Sequence, residues 1–422
     1  MVSRIQLYEN VFLTHIQSEK FKTGCFSVNF LRPLRREEAT ANALIPSVLL
    51  GGCKSAPDIR SISIRLDSLY GATVGTLVRK KGAVQAVGFY ADHLEDALAD
   101  EPIFRPLTEF VSELLLAPLT EGESFAKRIF ENERDNLRND IRAEFNQKQA
   151  YANRKLLETM YAGHPYALAA HGSEDALELL DPKRLYAQYR CMLANSQTEI
   201  FYLGRANRDE AVEAFTKMLA LLPRETAEPF HVDDPVTEQP PAYAEQSLPL
   251  AQSKLSMGFF APRAHTTREQ ATMLTYAVLL GGGSGSKLFR NVREAKSLCY
   301  YANALYDKYV GFLRINSGIA QEQLEAAISE IRRQLEDCAA GRFTDRELED
   351  AKLLLLSQLR ADLDIPARLD EFYLGQTLLG QTDSVEALME ALGRVDRDAV
   401  QAAAAAVREG TTFFLKGVGE CE

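Results

Sequence analysis

The sequence contains no tryptophan, six histidines, six cysteines and no long apolar run. Its cysteines are scattered, with no CxxC pair, so neither a disulfide framework nor a cysteine zinc site is indicated. Nowhere do about 18 apolar residues follow one another, which argues against a membrane-spanning helix. The first ten residues also lack the apolar core of a signal peptide. We therefore expect a soluble, cytoplasmic protein with reduced thiols.

The histidine motifs of zinc peptidases are also missing. Neither HExxH nor HxxEH, which place two histidines one turn apart on a helix, occurs in the chain. The nearest approach is His171-Gly-Ser-Glu174-Asp175, where Asp175 stands in place of a second histidine. A metal role for His171 and Glu174 is the weaker interpretation. A helix capped by Ser173, with acids in its first turn, explains the same residues better.

The glycine-rich stretch 281–287 does not form a nucleotide-binding motif. A phosphate loop requires glycine directly before the lysine, and here Ser286 precedes Lys287. A flexible turn is the better interpretation. The glycines follow the apolar helical run from Met273 to Leu280, and we expect them to close that helix with positive φ angles.

Length, charge and composition predict two halves joined by a linker. A chain of 422 residues is too long for one hydrophobic core. The net charge of −11 argues against nucleic-acid binding as a main role. Residues 223–249 are rich in proline and acids and have no helical period, so we assign them as a linker between a first half, 1–222, and a second half, 250–422.

Short matches in the same order indicate that the second half repeats the first. The helix end Val48–Gly52 recurs as Val278–Gly282, and the last strand of each half ends in Ile200–Gly204 or Phe413–Gly417. Strands followed by helices predict an α+β fold, in which each half is an antiparallel sheet covered by helices on one face. Within the first half, Arg79-Lys-Lys81 falls between two predicted strands and is interpreted as an exposed hairpin tip.

Arg293 and Tyr300 are the main candidates for functional chemistry. Arg293 lies on the last turn of a predicted short helix through Leu288, Phe289 and Val292. Tyr300 lies near the start of a predicted strand, Leu298–Tyr306, which is rich in aromatic residues. A guanidinium and a phenol can together polarise a peptide carbonyl and stabilise its oxyanion. The alternative is structural: Arg293 pairs with Glu294 or another neighbour, and Tyr300 packs in the sheet. Spacing alone favours this alternative.

Three segments resemble the pitrilysin/insulinase metallopeptidases, which are inverzincins with an HxxEH motif. They are Gly281–Tyr300, Phe343–Lys352 and Gly163-His-Pro165. The resemblance covers nearly the whole chain and implies the two-domain fold typical of this family and of the related mitochondrial processing peptidase. It also places the zinc motif on the helix that ends at Gly52.

The resemblance implies that this chain cannot hold catalytic zinc. Ala43, Pro46 and Ser47 stand where the family has its two histidines and its glutamate. Downstream, Glu133 matches a supporting acid and Asp140 matches the third zinc ligand. One carboxylate without its histidines does not bind catalytic zinc.

In bacterial two-subunit members of the family, one chain carries zinc and the other carries an Arg/Tyr pair, which Arg293 and Tyr300 match. The chain resembles the bacterial zinc-less YmfF-like chains, which are associated by name with modification of elongation factor P. The resemblance thus implies a peptidase subunit that is inactive alone, has no cofactor of its own, pairs with a zinc-bearing paralogue on a peptide substrate, and can form a homodimer when isolated. The alternative is a structural or peptide-binding scaffold without a peptidase role.

Overall fold

A computed structural model describes residues 2–232 and 240–418. Within this part, the chain forms two compact units, and each is built from three segments of the sequence. The first unit comprises Met1–Arg142, Leu168–His231 and Leu369–Gly375; the second comprises Ala143–Ala167, Val232–Arg368 and Gln376–Glu422. Among the described residues, no helix has both the length and the apolar character that crossing a membrane requires.

The first unit is built on a six-stranded sheet with the order β1-β2-β6-β3-β5-β4. Its strands are β1 (Val2–Tyr8), β2 (Val11–Gln17), β3 (Thr23–Pro33), β4 (Thr73–Lys81), β5 (Val84–Leu94) and β6 (Gln197–Gly204). All neighbouring strands are antiparallel except β2 and β6, which run parallel. In β3 the apolar residues Phe26, Val28 and Phe30 alternate with Ser27 and Asn29, so the two kinds of residue point to opposite faces.

Helices cover the apolar face of this sheet. The helices of this part of the chain are α1 (Ala39–Leu50), α2 (Ile59–Asp67), α3 (Phe104–Leu116), α4 (Lys127–Asn146), α6 (Glu174–Glu178), α7 (Pro182–Asn195) and α8 (Arg208–Met218). A further helix, α5 (Lys148–Met160), belongs to the second unit and packs on the second sheet. The core of the first unit joins Phe26 and Phe30 to residues such as Leu44, Phe110 and Phe215.

The second unit has a five-stranded sheet with the order β7-β11-β8-β10-β9. Its strands are β7 (Ala242–Pro249), β8 (Ser253–Phe260), β9 (Tyr301–Asp307), β10 (Phe312–Ile319) and β11 (Arg408–Val418). Its helices are α9 (Thr267–Gly281), α10 (Leu324–Ala339), α11 (Asp345–Asp362), α12 (Pro366–Leu378), α13 (Val385–Gly393) and α14 (Arg397–Ala405), and a π-helix spans Leu288–Ala295. The middle of α12, Leu369–Gly375, belongs to the first unit.

The two sheets repeat one topology. Strands β2 to β6 take the spatial order 2-6-3-5-4, and β7 to β11 take the corresponding order 7-11-8-10-9. In each sheet the first of these strands runs parallel to the last, as shown by β7 beside β11. The predicted α+β fold with two similar halves is therefore confirmed.

The compact units and the predicted halves divide the chain differently. The segment 143–167, inside the predicted half 1–222, belongs to the second unit, and 369–375, inside the predicted half 250–422, belongs to the first. Strand β7 occupies residues 242–249 at the end of the predicted linker 223–249. Its place corresponds to that of β2, so this end of the proline-rich stretch is part of the repeated sheet. Of the rest of that stretch, residues 233–239 lie outside the described residues.

Candidate functional site

A π-helix presents the first candidate residue, Arg293. Leu288 and Val292 are its buried positions, and Arg293 lies in its last turn. The π-helix packs against β9 and α10, where the Asn291 amide donates to Gln334 Oε1 at 2.6 Å. A π-helical turn is rare, and such turns are frequent at functional sites. The sequence predicted a short helix here, but not its π-helical winding.

Arg293 lies at the surface with two local contacts. Its side chain is 42% exposed, and its guanidinium carbon lies 4.7 Å from the centre of the Phe289 ring. Arg293 Nε is 3.6 Å from Oε1 of the adjacent Glu294, whose side chain is 58% exposed. An ion pair this exposed holds an arginine weakly. Phe289, which the sequence predicted only as an apolar position of the helix, therefore also contacts the guanidinium.

Tyr300 is the more exposed of the two candidates. Its main-chain N–H donates to Gly318 O at 2.8 Å, which joins it to the sheet directly before the edge strand β9. The side chain is nevertheless 64% exposed. Its hydroxyl makes no hydrogen bond with any residue in 2–232 or 240–418. The structural alternative thus holds in part, because Arg293 pairs with Glu294 while Tyr300 is not packed in the sheet.

Cys299 lies between the two candidates and is partly buried. Burial raises the pKa of the Cys299 thiol, and the positive charge of Arg293 lowers it by a smaller amount. Arg293 therefore lies within electrostatic reach of the residue that precedes Tyr300. The catalytic role of Arg293 and Tyr300 stays a prediction.

The glycines before the π-helix do not close α9 with the predicted positive φ angles, and Gly281 is instead needed for close packing. Gly282 caps α9 with φ −91°, and none of the glycines in 281–285 has a positive φ. The prediction of a positive-φ helix end was therefore wrong. A Cβ atom at Gly281 would lie 2.4 Å from the main-chain nitrogen of Ala304 in β9. Glycine is required there because the end of α9 approaches the strand closely.

The three positions of the degenerate zinc motif lie on α1 and offer no ligands. Ala43 and Pro46 are buried, and Ser47 is half-buried. Zinc requires imidazole, thiolate or carboxylate donors, and these three side chains have none. Pro46 also lies inside the helix, where it removes a backbone N–H donor. The residues at this position do not fit a catalytic zinc ion.

The two vestigial acids lie on α4 with different surroundings. The Glu133 carboxylate accepts hydrogen bonds from the side-chain amides of Asn132 and Asn136, at 2.9 and 3.1 Å. Asp140 is exposed, and its side chain has no hydrogen bond or ion pair with any described residue. Across the described ranges, no three residues among His, Cys, Asp and Glu are placed to hold a metal ion.

The segment around His171 is a helix start. The Ser173 side chain accepts from Ala176 N and caps α6, with Glu174 in the first turn, so the predicted cap is confirmed. The Glu174 carboxylate pairs with Arg142, while His171 is exposed. Helix capping and a surface ion pair account for these residues.

Comparison with known proteins identifies relatives along the whole chain. A family model described as the peptidase M16 inactive domain matches residues 180–355. The probable inactive metalloprotease YmfF of Bacillus subtilis (strain 168) is 29% identical over 406 residues, covering 95% of each chain. The crystal structure of a conserved protein from Enterococcus faecalis V583 matches with a TM-score of 0.91 and 28% identity, covering 100% of both chains. A peptidase M16 inactive domain from Pseudomonas fluorescens shares the fold, with a TM-score of 0.81 at 19% identity over 100% of both chains.

Proposed function

Because the chain belongs to the pitrilysin-like peptidase M16 family and is a zinc-less member of it, we propose that it serves as the non-catalytic subunit of a two-chain zinc peptidase. In this proposal a paralogous partner carries the HxxEH motif, and this chain supplies Arg293 and Tyr300 to the peptide substrate. One observation carries the proposal: Tyr300 is exposed, without a hydrogen bond to any described residue, a few residues beyond the exposed Arg293 of a π-helix.

The chemistry assigned to this chain is oxyanion stabilisation. Zinc in the partner would supply an activated water for attack on the peptide carbonyl. The Arg293 guanidinium and the Tyr300 hydroxyl would donate hydrogen bonds to the carbonyl oxygen as negative charge develops on it. Neither side chain has to break a strong interaction in order to bind the substrate. Among the described residues, the only ion pair of Arg293 is the exposed one with Glu294.

The test compares two arginines of the same π-helix in the assembled heterodimer. The chain is mixed with a paralogue that carries HxxEH, and zinc content and peptide cleavage are measured for each chain alone and for the mixture. We expect activity and zinc only when the partner is present. Arg293→Ala should lower kcat roughly 10²-fold or more, because one oxyanion donor contributes that much. Tyr300→Phe should act in the same direction.

Arg290→Ala is the matched control, since Arg290 is exposed on the same π-helix and pairs with Glu347 at 3.4 Å. It should leave kcat unchanged. Equal activity of the Arg293→Ala and wild-type heterodimers would exclude the assigned role. If no HxxEH paralogue activates the mixture, the chain is instead a structural or peptide-binding scaffold.

A further inference from the structure

A cavity of about 410 Å³ lies inside the second unit, at the closed end of the β9–β10 hairpin. Leu274 from α9, Leu305 from β9 and Phe312 from β10 form its apolar wall. Its polar wall includes Asp307 and Arg314. A volume of a few hundred Å³ with apolar walls and a few converging polar groups is typical of small-molecule sites.

Arg314 is the group that makes this cavity unusual. It lies in the middle of β10, directly opposite Leu305 on β9 and Gly258 on β8. Its Nε is buried without a hydrogen-bond partner, and its guanidinium has no ion pair with any residue that the structure describes. Burial also lowers the pKa of Arg314. Arg314 as a whole is half-buried, and a buried N–H group normally has a hydrogen-bond acceptor, so this Nε has capacity for one from a ligand.

The Asp307 carboxylate lies within electrostatic reach of Arg314, where its charge favours the protonated guanidinium, but its oxygens already accept hydrogen bonds from other donors. The Tyr166 hydroxyl donates to Asp307 Oδ2 at 2.7 Å, and Tyr309 N–H donates to Oδ1 at 2.9 Å. Lys308 also lines the cavity, and its ammonium donates to Gln376 Oε1 at 3.1 Å. The lining thus holds two cationic side chains and one carboxylate, and neither Asp307 oxygen accepts a hydrogen bond from Arg314.

We propose that this cavity binds a small organic acid, with its carboxylate on Arg314 and its apolar body against Leu274, Leu305 and Phe312. The planar guanidinium donates two parallel hydrogen bonds that match a carboxylate. A carboxylate carries one negative charge, whereas a phosphate ester carries roughly 1.5 to 2, which the Asp307 carboxylate in the same lining would repel more strongly. The inference stands on the geometry of the second unit and does not depend on the peptidase role.

The first experiment is isothermal titration calorimetry of the full chain with 4-phenylbutyrate and with its neutral isostere, 4-phenylbutyramide. We expect the acid to bind roughly 10- to 100-fold more tightly than the amide, because a hydrogen bond to a charged group contributes that much. Arg314→Gln should remove this preference, and Arg314→Lys should restore part of it. Arg346→Gln, an equal charge change at a site that is 90% exposed on α11, should leave binding unchanged.

A second pair of variants keeps Arg314 and changes a leucine instead. Leu305 is 50% exposed, and Leu305→Glu places a carboxylate directly opposite Arg314, where it should occupy the guanidinium and exclude the ligand. Leu353→Glu changes a leucine of α11 that is 60% exposed and should not affect binding. Equal binding of acid and amide, full binding by Arg314→Gln or Leu305→Glu, or no binding of the acid up to about 10 mM would each overturn the proposal.

Discussion

Replacing Asp370 with alanine should destabilise the first unit by about 3–5 kcal/mol, because it removes one partner of a buried ion pair. The Asp370 side chain is 0% exposed. The Ser27 hydroxyl donates to its Oδ1 at 2.7 Å, and the Arg79 guanidinium donates to its Oδ2. Without Asp370, the ion pair that Arg79 keeps among the described residues is a 3.5 Å contact with Glu371, whose side chain is 43% exposed. A contact so open to solvent compensates little for a cation that is 15% exposed.

The assay is urea unfolding followed by far-UV circular dichroism and tyrosine fluorescence, since the chain has no tryptophan. Hydrogen exchange in β3, which carries Ser27, shows whether the loss falls in the first unit. Asp350→Ala is the matched control, because Asp350 is 55% exposed and pairs with Arg346 at 3.8 Å within α11. That variant should change the free energy of unfolding by less than about 0.5 kcal/mol.

A double variant tests whether the loss of stability comes from the unpaired charge of Arg79. Arg79→Met combined with Asp370→Leu removes both charges and keeps the volume, so it should be more stable than Asp370→Ala alone. If Asp370→Ala unfolds at the same urea concentration as Asp350→Ala, the ion pair does not stabilise the first unit. If the double variant is no more stable than Asp370→Ala, the loss of stability does not come from an uncompensated buried charge.

Three further predictions concern titration and packing. Burial raises the pKa of the Cys25 thiol to about 12, so at pH 8 only about 10⁻⁴ of this side chain is thiolate. Iodoacetamide should therefore label the half-buried Cys191 before Cys25, and equal labelling rates of the two cysteines would contradict this. Gly281→Ala should cost about 1–3 kcal/mol of unfolding free energy, because its Cβ meets the backbone of β9, whereas Gly285→Ala, with open space around it, should be neutral. Burial lowers the pKa of His93 below its usual 6.5, so as the pH falls the unfolded chain binds a proton before the folded chain does, and the free energy of unfolding decreases below about pH 6.5. In urea titrations, His93→Gln should lose less unfolding free energy than the wild type between pH 7.5 and 5.5. An equal loss in both proteins would contradict this.

Local patterns in the sequence were enough to predict most elements and the α+β fold. The alternation in β3 and the apolar run that became α9 are set by contacts among residues close in the chain. The repeat of Val48–Gly52 as Val278–Gly282 likewise predicted two similar halves, and these segments close α1 and α9 in the structure. Such signals survive because they depend on backbone geometry and on which face of an element is apolar.

Burial and ion pairs that depend on residues far apart in the chain could not be predicted from the sequence. Arg79-Lys-Lys81 was interpreted as an exposed hairpin tip, and this was wrong: Lys81 is only 7% exposed, and its ammonium pairs with Glu371. The partner of Arg79 lies 291 residues away, so no window of sequence shows it. Arg314 was missed for the same reason, since its cavity combines α9 with the β9–β10 hairpin.

The sequence by itself determined the family resemblance, the missing zinc ligands at Ala43, Pro46 and Ser47, and the candidates Arg293 and Tyr300. These follow from residue identities at fixed spacings, and zinc chemistry cannot proceed without the donor atoms. Only the tertiary structure decided that Tyr300 is exposed beside the sheet. It also decided that the segment Leu369–Gly375, late in the chain, packs against Arg79 and Lys81 of the first unit. Exposure and pairing depend on which surfaces meet after folding, and that is set by packing between elements far apart in sequence.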